Sequence, residues 1–80
     1  MSPHKERAES SLTKLKDRLD ELSALKEKYP YLYDLALRYY TDSKHYFEKN
    51  DFFTSFGCSD YAYGILDSLD YLENNEYPKP

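Results

Sequence analysis

The segment YFEKNDF, residues 46–52, places a reversal of the chain between two stretches with strong helical patterning. Asn50 tolerates the left-handed backbone conformation with which helices commonly end. Asp51 follows it and can accept a hydrogen bond from the backbone at the start of the next helix. Because so few residues separate the two stretches, we expect two helices that lie antiparallel and side by side.

A second break lies upstream, at Tyr29-Pro30. Proline disfavours a helical conformation in the residue before it, but it is well tolerated in the first turn of a new helix. The two breaks predict helices over about residues 3–28, 31–49 and 52–72, and a disordered tail over residues 74–80. The 80 residues then form one all-α domain, a three-helix antiparallel up-and-down bundle.

Apolar residues recur at helical spacing in the predicted helices, which indicates buried stripes. The first helix carries a narrow leucine seam, made of Leu12, Leu15, Leu19, Leu22 and Leu25. The third helix carries one stripe of Cys58, Tyr61, Ala62, Ile65, Leu69 and Leu72, and a second of Phe52, Phe56, Tyr63 and Leu66. A helix that is apolar on two faces lies between others or is partly covered by a second chain. We expect Ile65 and Leu69 to be core residues.

Gly57 and Gly64 lie seven residues apart, so they share one face of the third helix. Each costs up to ~1 kcal/mol relative to alanine in a helix interior. The sequence predicts that the close approach of a neighbouring helix compensates for this cost, so that leucine at either position destabilises the fold. The alternative is a small ligand or nucleotide bound in a groove against the bare backbone of these glycines.

The composition of the chain argues against several classes of function. Fifteen acidic residues against eleven basic ones give a net charge of −4, which argues against a nucleic-acid binder with a broad basic face. Cys58 is the single cysteine, so no intramolecular disulfide can form, as is typical of a reducing compartment. No segment reaches the ~18 apolar residues of a membrane span, and the first residues lack the apolar core of a signal peptide. We therefore expect a cytoplasmic protein with no membrane partner.

Patterns that carry catalysis or bind cofactors are weak in this chain. Arg38 and His45 have an Arg-x6-His spacing that loosely resembles the pair of HEPN-type helical ribonucleases, but residues seven apart also simply share a helix face. The acidic residues around the last turn and helix lack the Glu-x-x-His pairs of di-iron bundles. These residues are Asp42, Glu48, Asp51, Asp60, Asp67 and Asp70. Salt bridges to the first helix, or solvation, are their expected roles, and we predict no catalytic residue, metal or cofactor.

Four blocks between Leu37 and Leu69 carry a resemblance to known proteins. They are Tyr39-Tyr40-Thr41-Asp42-Ser43, Tyr46-Phe47-Glu48-Lys49-Asn50-Asp51-Phe52, Phe56-Gly57-Cys58 and Tyr61-Ala62-Tyr63-Gly64-Ile65-Leu66-Asp67. The pattern resembles the core of a family of short archaeal all-helical proteins described only as a domain of unknown function. Asn50 stands where glycine is usual in that family. The resemblance implies a compact three-helix bundle and no assigned activity.

Aromatic residues are the unusual feature of the composition, with ten tyrosines and four phenylalanines. Tyrosine packs its ring while its hydroxyl stays near water or a partner. The sequence therefore predicts a non-catalytic interaction module, which binds a second copy or an unknown protein partner through an aromatic-rich face. The alternative is the small-ligand or nucleotide site at the glycines. Candidate surface residues are Tyr39, Tyr40, Asp42, Tyr46, Gly57, Tyr61, Tyr63, Gly64 and Asp67.

Overall fold

The computed structural model describes residues 3–74, which form three α-helices joined by short connections. Helix α1 spans Pro3–Glu21, α2 spans Pro30–Glu48 and α3 spans Phe52–Asn74, with a short 3₁₀ helix, Ser23–Lys26, between α1 and α2. α3 packs against both other helices, most extensively against α2. The all-α three-helix bundle is confirmed. Of the predicted disordered tail, Asn74 is the last residue of α3 and the rest lies outside the described residues.

The turn between α2 and α3 has the predicted construction. Asn50 adopts a φ of 65°, in the left-handed region. Its amide donates to the Phe47 carbonyl at 3.0 Å and the Asp51 amide donates to the Tyr46 carbonyl at 2.9 Å, the bond pair of a Schellman motif. Asp51 Oδ1 accepts a hydrogen bond of 3.2 Å from the backbone amide of Thr54, which caps α3. Local side-chain chemistry therefore sets α2 and α3 side by side.

The first helix ends earlier than its leucine spacing predicts, at Glu21 rather than near residue 28. The backbone then tightens into the 3₁₀ helix before α2 begins at Pro30. Carbonyls in the last turn of a helix have no partner within the helix. The buried Tyr33 hydroxyl of α2 supplies one, because it donates a hydrogen bond of 2.7 Å to the Leu19 carbonyl. A contact between two helices thus accompanies the early end of α1.

One half of the core is apolar and lies where the end of α1, the start of α2 and the end of α3 meet. Its buried residues are Leu15, Leu19, Leu22, Tyr33, Ala36, Ala62, Leu66 and Leu69. Leu69 is fully buried, as predicted, whereas Ile65 is only partly buried and packs against this cluster from one side. Leu66, which the spacing assigned to the second stripe, is fully buried.

The other half of the core contains three fully buried serines between α2 and α3, namely Ser43, Ser55 and Ser59. Ser43 Oγ donates to the Ser55 carbonyl at 2.6 Å, and Ser55 Oγ donates to the Ser43 carbonyl at 2.8 Å. Ser59 Oγ lies 2.6 Å from Ser43 Oγ, so the proton of each hydroxyl has an acceptor. Hydroxyls that reach the backbone of the opposite helix require α2 and α3 to lie close together.

The prediction that Gly57 and Gly64 allow this close approach is wrong. Both glycines are exposed, and a Cβ built at either position would meet no atom within 4 Å in the described part of the chain. At about 100° per residue, both lie on the side of α3 opposite the buried Ala62. Serine and alanine take the small-residue positions between the helices, and no contact among residues 3–74 offsets the conformational cost of the two glycines.

Candidate interaction surface

Within residues 3–74, α1 covers one side of the layer formed by α2 and α3 and leaves the other side open. The covered flank of α3 is marked by Asp70, which accepts a hydrogen bond of 3.0 Å from Arg18, and by Phe56, whose ring centroid lies 5.9 Å from the Arg7 guanidinium. At about 100° per residue, Tyr61 lies on the opposite flank of α3, away from α1. The two sides of the α2–α3 layer are therefore not equivalent.

We call the uncovered surface the open face. It consists of Leu32, Leu35, Tyr39 and Tyr46 from α2, and of Cys58, Tyr61, Ile65 and Leu72 from α3. All of these are half-buried except Tyr61, which exposes 58% of its surface. A contiguous surface of this kind is apolar and aromatic, and it joins side chains from two antiparallel helices.

The rings of Tyr39 and Tyr61 join the two helices across the open face. Their centroids lie 4.5 Å apart and their planes are nearly parallel, at 8°. Aromatic pairs contribute about 0.5–1.5 kcal/mol beyond the area that they bury. The pair is therefore held in place before any partner arrives, and the Tyr61 side chain still presents most of its surface to solvent.

Cys58 is the thiol of the open face, and its surroundings disfavour the reactive thiolate. Burial raises the pKa of the Cys58 thiol, and the negative charges of Asp42 and Asp51 raise that pKa further. The reactive thiolate is therefore scarce near neutral pH. At about 100° per residue, the exposed Asp42 lies beside Leu35 and Tyr46 on α2, at the border of the open face.

The predicted surface residues divide among three places. Tyr39, Tyr46, Tyr61 and Asp42 lie on or beside the open face, whereas Gly57 and Gly64 lie on the outward edge of α3. Tyr40, Tyr63 and Asp67 lie toward α1, where the Asp67 carboxylate is 3.7 Å from Arg18. Sequence reasoning did not assign Leu32, Leu35, Cys58, Ile65 and Leu72 to an interaction surface. The signal for the α2 part was the spacing of Leu32, Leu35, Tyr39 and Tyr46, which forms a stripe of its own.

Two acidic residues of α3, Asp67 and Asp70, form ion pairs with Arg18 of α1, which is one of the two roles expected for the acidic residues. Arg18 Nη2 contacts Asp70 at 3.0 Å, and Lys28 Nζ contacts Glu73 at 2.9 Å. Among residues 3–74, no group of three histidine, cysteine or acidic side chains is placed to hold a metal ion. The same residues contain no helix that is both long and apolar enough to cross a bilayer.

The surroundings of the two glycines bear on the ligand-binding alternative. A groove that encloses a ligand needs protein atoms on both sides. Apart from the adjacent backbone of α3 itself, the described residues place no atom within 4 Å of a Cβ at Gly57 or Gly64. A groove of about 580 Å³ lies instead between α1 and α3. Its lining includes Arg7 and Lys14 but also Glu6, so side chains of both charges face it. This mixture favours no single class of ligand.

A comparison with models of known protein families shows which family the chain belongs to. A family described as "Protein of unknown function (DUF357)" matches residues 5–74, from α1 to the last residue of α3. The chain belongs to this family. The resemblance to a short domain-of-unknown-function family is thus confirmed, and the DUF357 description assigns no activity that could be transferred. Searches of curated proteins and of solved structures found no match.

Proposed function

We propose that this chain is a non-catalytic helical interaction module and that the open face is its binding surface. The observation that carries the proposal is the apolar, aromatic side of the α2–α3 layer that α1 leaves uncovered, with Tyr61 58% exposed at its centre. Water in contact with apolar surface costs about 25 cal/mol per Å², so covering such a face is favourable. Contiguous apolar patches on small proteins commonly mark interaction sites.

The shape of the open face indicates the kind of partner. Two antiparallel helices present side chains at three- and four-residue spacing, with a groove between their axes. A helix that carries its own apolar stripe can pack its ridges into such grooves. The partner surface that fits is therefore helical and apolar. The raised pKa of Cys58 supports binding rather than nucleophilic catalysis as the role of this face.

Site-specific photocrosslinking in the native cell tests the proposal. A benzophenone-bearing phenylalanine analogue replaces Tyr61 in one variant and Phe53 in a matched control. Phe53 is also exposed, at 81%, but it lies on the outward edge of α3 rather than on the open face. We expect discrete crosslinked products from position 61 and not from position 53. Absence of products from position 61, or the same products from both positions, would overturn the proposal.

A further inference from the structure

We infer that the partner at the open face is a second copy of this chain, docked so that two α2–α3 layers form a four-helix core with the two α1 helices outside it. The inference rests on the proposed function, because it names the occupant of the same face. Homo-oligomers of soluble proteins are most often two-fold symmetric, and a two-fold contact requires a patch that complements itself.

The direction of the helices selects one arrangement. With a two-fold axis parallel to the helices, α2 of one copy faces α3 of the other. Every pair of neighbours in the four-helix core is then antiparallel, as in up-and-down bundles, and the helix dipoles alternate in direction.

Charge is consistent with the same arrangement. The carboxylates of Asp67 and Asp70 lie on the flank of α3 toward α1, beside Arg18, so the α3 part of the open face carries no charged side chain. On α2, the exposed Asp42 lies at the border of the open face. When α2 faces α3 of the second copy, each Asp42 meets this uncharged flank, whereas α2 packed against α2 would place both Asp42 carboxylates in one contact. Like charges set side by side across an interface are costly.

In this arrangement, side chains that lie at the same height along the bundle axis meet at the interface. A rotation about an axis parallel to the helices keeps each side chain at its own height. Tyr39 and Tyr61 stack at one height, so the four tyrosine rings of two copies meet in one layer. Leu35 and Ile65 also lie at one height, toward the start of α2, so Leu35 of one copy faces Ile65 of the other. Asp42 lies opposite α3 of the other copy and not opposite its own counterpart.

The size of the open face is that of a small specific interface. Tyr46 lies at the level of Thr54 in the antiparallel helix pair, so the face extends along α3 from that level to Leu72, about 27 Å at 1.5 Å per residue. Two helices packed about 9 Å apart are roughly 20 Å wide, which gives a footprint of about 540 Å². The accessible area exceeds the footprint because side chains roughen the surface. The accessible area of the open face is therefore close to the ~600 Å² per partner at which specific interfaces begin.

Sedimentation equilibrium from micromolar to millimolar protein tests the inference. We expect the mass to rise with concentration from the 9.6 kDa of one chain toward twice that value. Tyr61→Arg places a charge at the centre of the open face and should stay monomeric. Phe53→Arg, the matched control, should associate like the unmodified chain. Circular dichroism establishes that both variants keep their helices.

The single cysteine provides a second readout, because Cys58 lies on the open face. Its reaction with Ellman's reagent is followed at alkaline pH, where the thiolate forms despite the raised pKa. If a second copy covers the face, the rate constant falls severalfold as the protein concentration rises. In Tyr61→Arg the rate constant should not depend on protein concentration.

The outcomes separate this inference from the proposed function. A mass that stays monomeric throughout overturns the second copy as the partner. If position 61 then crosslinks to a different protein, the interaction module stands and only its partner changes. If position 61 gives no crosslink, both proposals fail. A dimer that survives Tyr61→Arg but is lost in Phe53→Arg uses another surface and also overturns the inference.

Discussion

Replacing Ser43 by alanine tests how much the buried serines stabilise the bundle. The Ser43 hydroxyl donates to the Ser55 carbonyl at 2.6 Å and lies 2.6 Å from Ser59 Oγ. Its removal deprives the buried Ser59 hydroxyl of its acceptor. A buried polar group without a partner costs about 1–3 kcal/mol. Ser59 can partly recover by bonding to a carbonyl four residues earlier in its own helix, so we expect a loss of about 1–2 kcal/mol.

That loss corresponds to a fall in Tm of roughly 4–16 °C for a domain of this size. Urea denaturation followed by circular dichroism measures it, in the Tyr61→Arg background so that association does not contribute. Ser68→Ala is the matched control, because the exposed Ser68 hydroxyl bonds only within α3, to the Gly64 carbonyl at 3.1 Å. The control should change the free energy of unfolding by less than ~0.5 kcal/mol.

A double-mutant cycle makes the test specific. If Ser43 and Ser59 act as one network, their alanine variants should be non-additive by about 0.5 kcal/mol or more. The reasoning is refuted if the two losses simply add, or if Ser43→Ala is as mild as Ser68→Ala.

Other changes have definite expected outcomes in the same denaturation assay. Gly64→Ala should stabilise by ~0.5–1 kcal/mol, since its Cβ meets open space, and a loss of stability would show a contact at this edge. Asn50→Ala should destabilise the fold by ~1 kcal/mol, because the backbone at residue 50 has a φ of 65°, which alanine disfavours, whereas Asn50→Gly should not destabilise it. Equal effects of the two substitutions would contradict the left-handed conformation of the turn. Tyr33→Phe should destabilise the fold by ~1–2 kcal/mol, because it removes the hydrogen bond to the Leu19 carbonyl, and Tyr31→Phe at an exposed position should be neutral. If both variants are neutral, the hydrogen bond from Tyr33 does not stabilise the fold.

The pH dependence of stability adds a further test of Tyr33. Burial raises the pKa of its phenol above the usual value of about 10, and the charge of Asp20 raises that pKa further. The unfolded chain therefore ionises Tyr33 at lower pH than the folded chain does. Stability that is fully present below about pH 10 should fall as the pH rises above it. Tyr33→Phe should lose less stability over that range than the unmodified chain, and an identical profile would contradict the assignment.

The features that sequence predicted correctly depend on neighbours in the chain. Asn50 and Asp51 form the turn through bonds to residues a few positions away, so their chemistry is visible locally. The end of α1 involves Tyr33, which reaches Leu19 only in the folded bundle, and leucine spacing alone could not indicate it. Helix patterning therefore located the helices better than their ends.

The wrong prediction of a close helix contact at the two glycines shows a limit of residue spacing as a signal. Gly57 and Gly64 do share a face of α3, but spacing does not say whether that face points inward. The inward positions are taken instead by Ser55, Ser59 and Ala62, which also recur at helical spacing and point to a close helix contact. The open face depends on which flank α1 covers. That choice sets the handedness of the bundle, and no pattern within a single helix encodes it.

The three buried serines also restrict how α2 and α3 can slide past each other. Leucine contacts tolerate shifts, because one apolar surface replaces another at little cost. A shift of α3 by one turn, about 5.4 Å, would leave only one of Ser55 and Ser59 opposite Ser43, because these two serines lie four residues apart. With an unpaired buried hydroxyl costing about 1–3 kcal/mol, the shifted packing is disfavoured by about that amount. The polar half of the core thus favours the observed register more sharply than leucine contacts alone would.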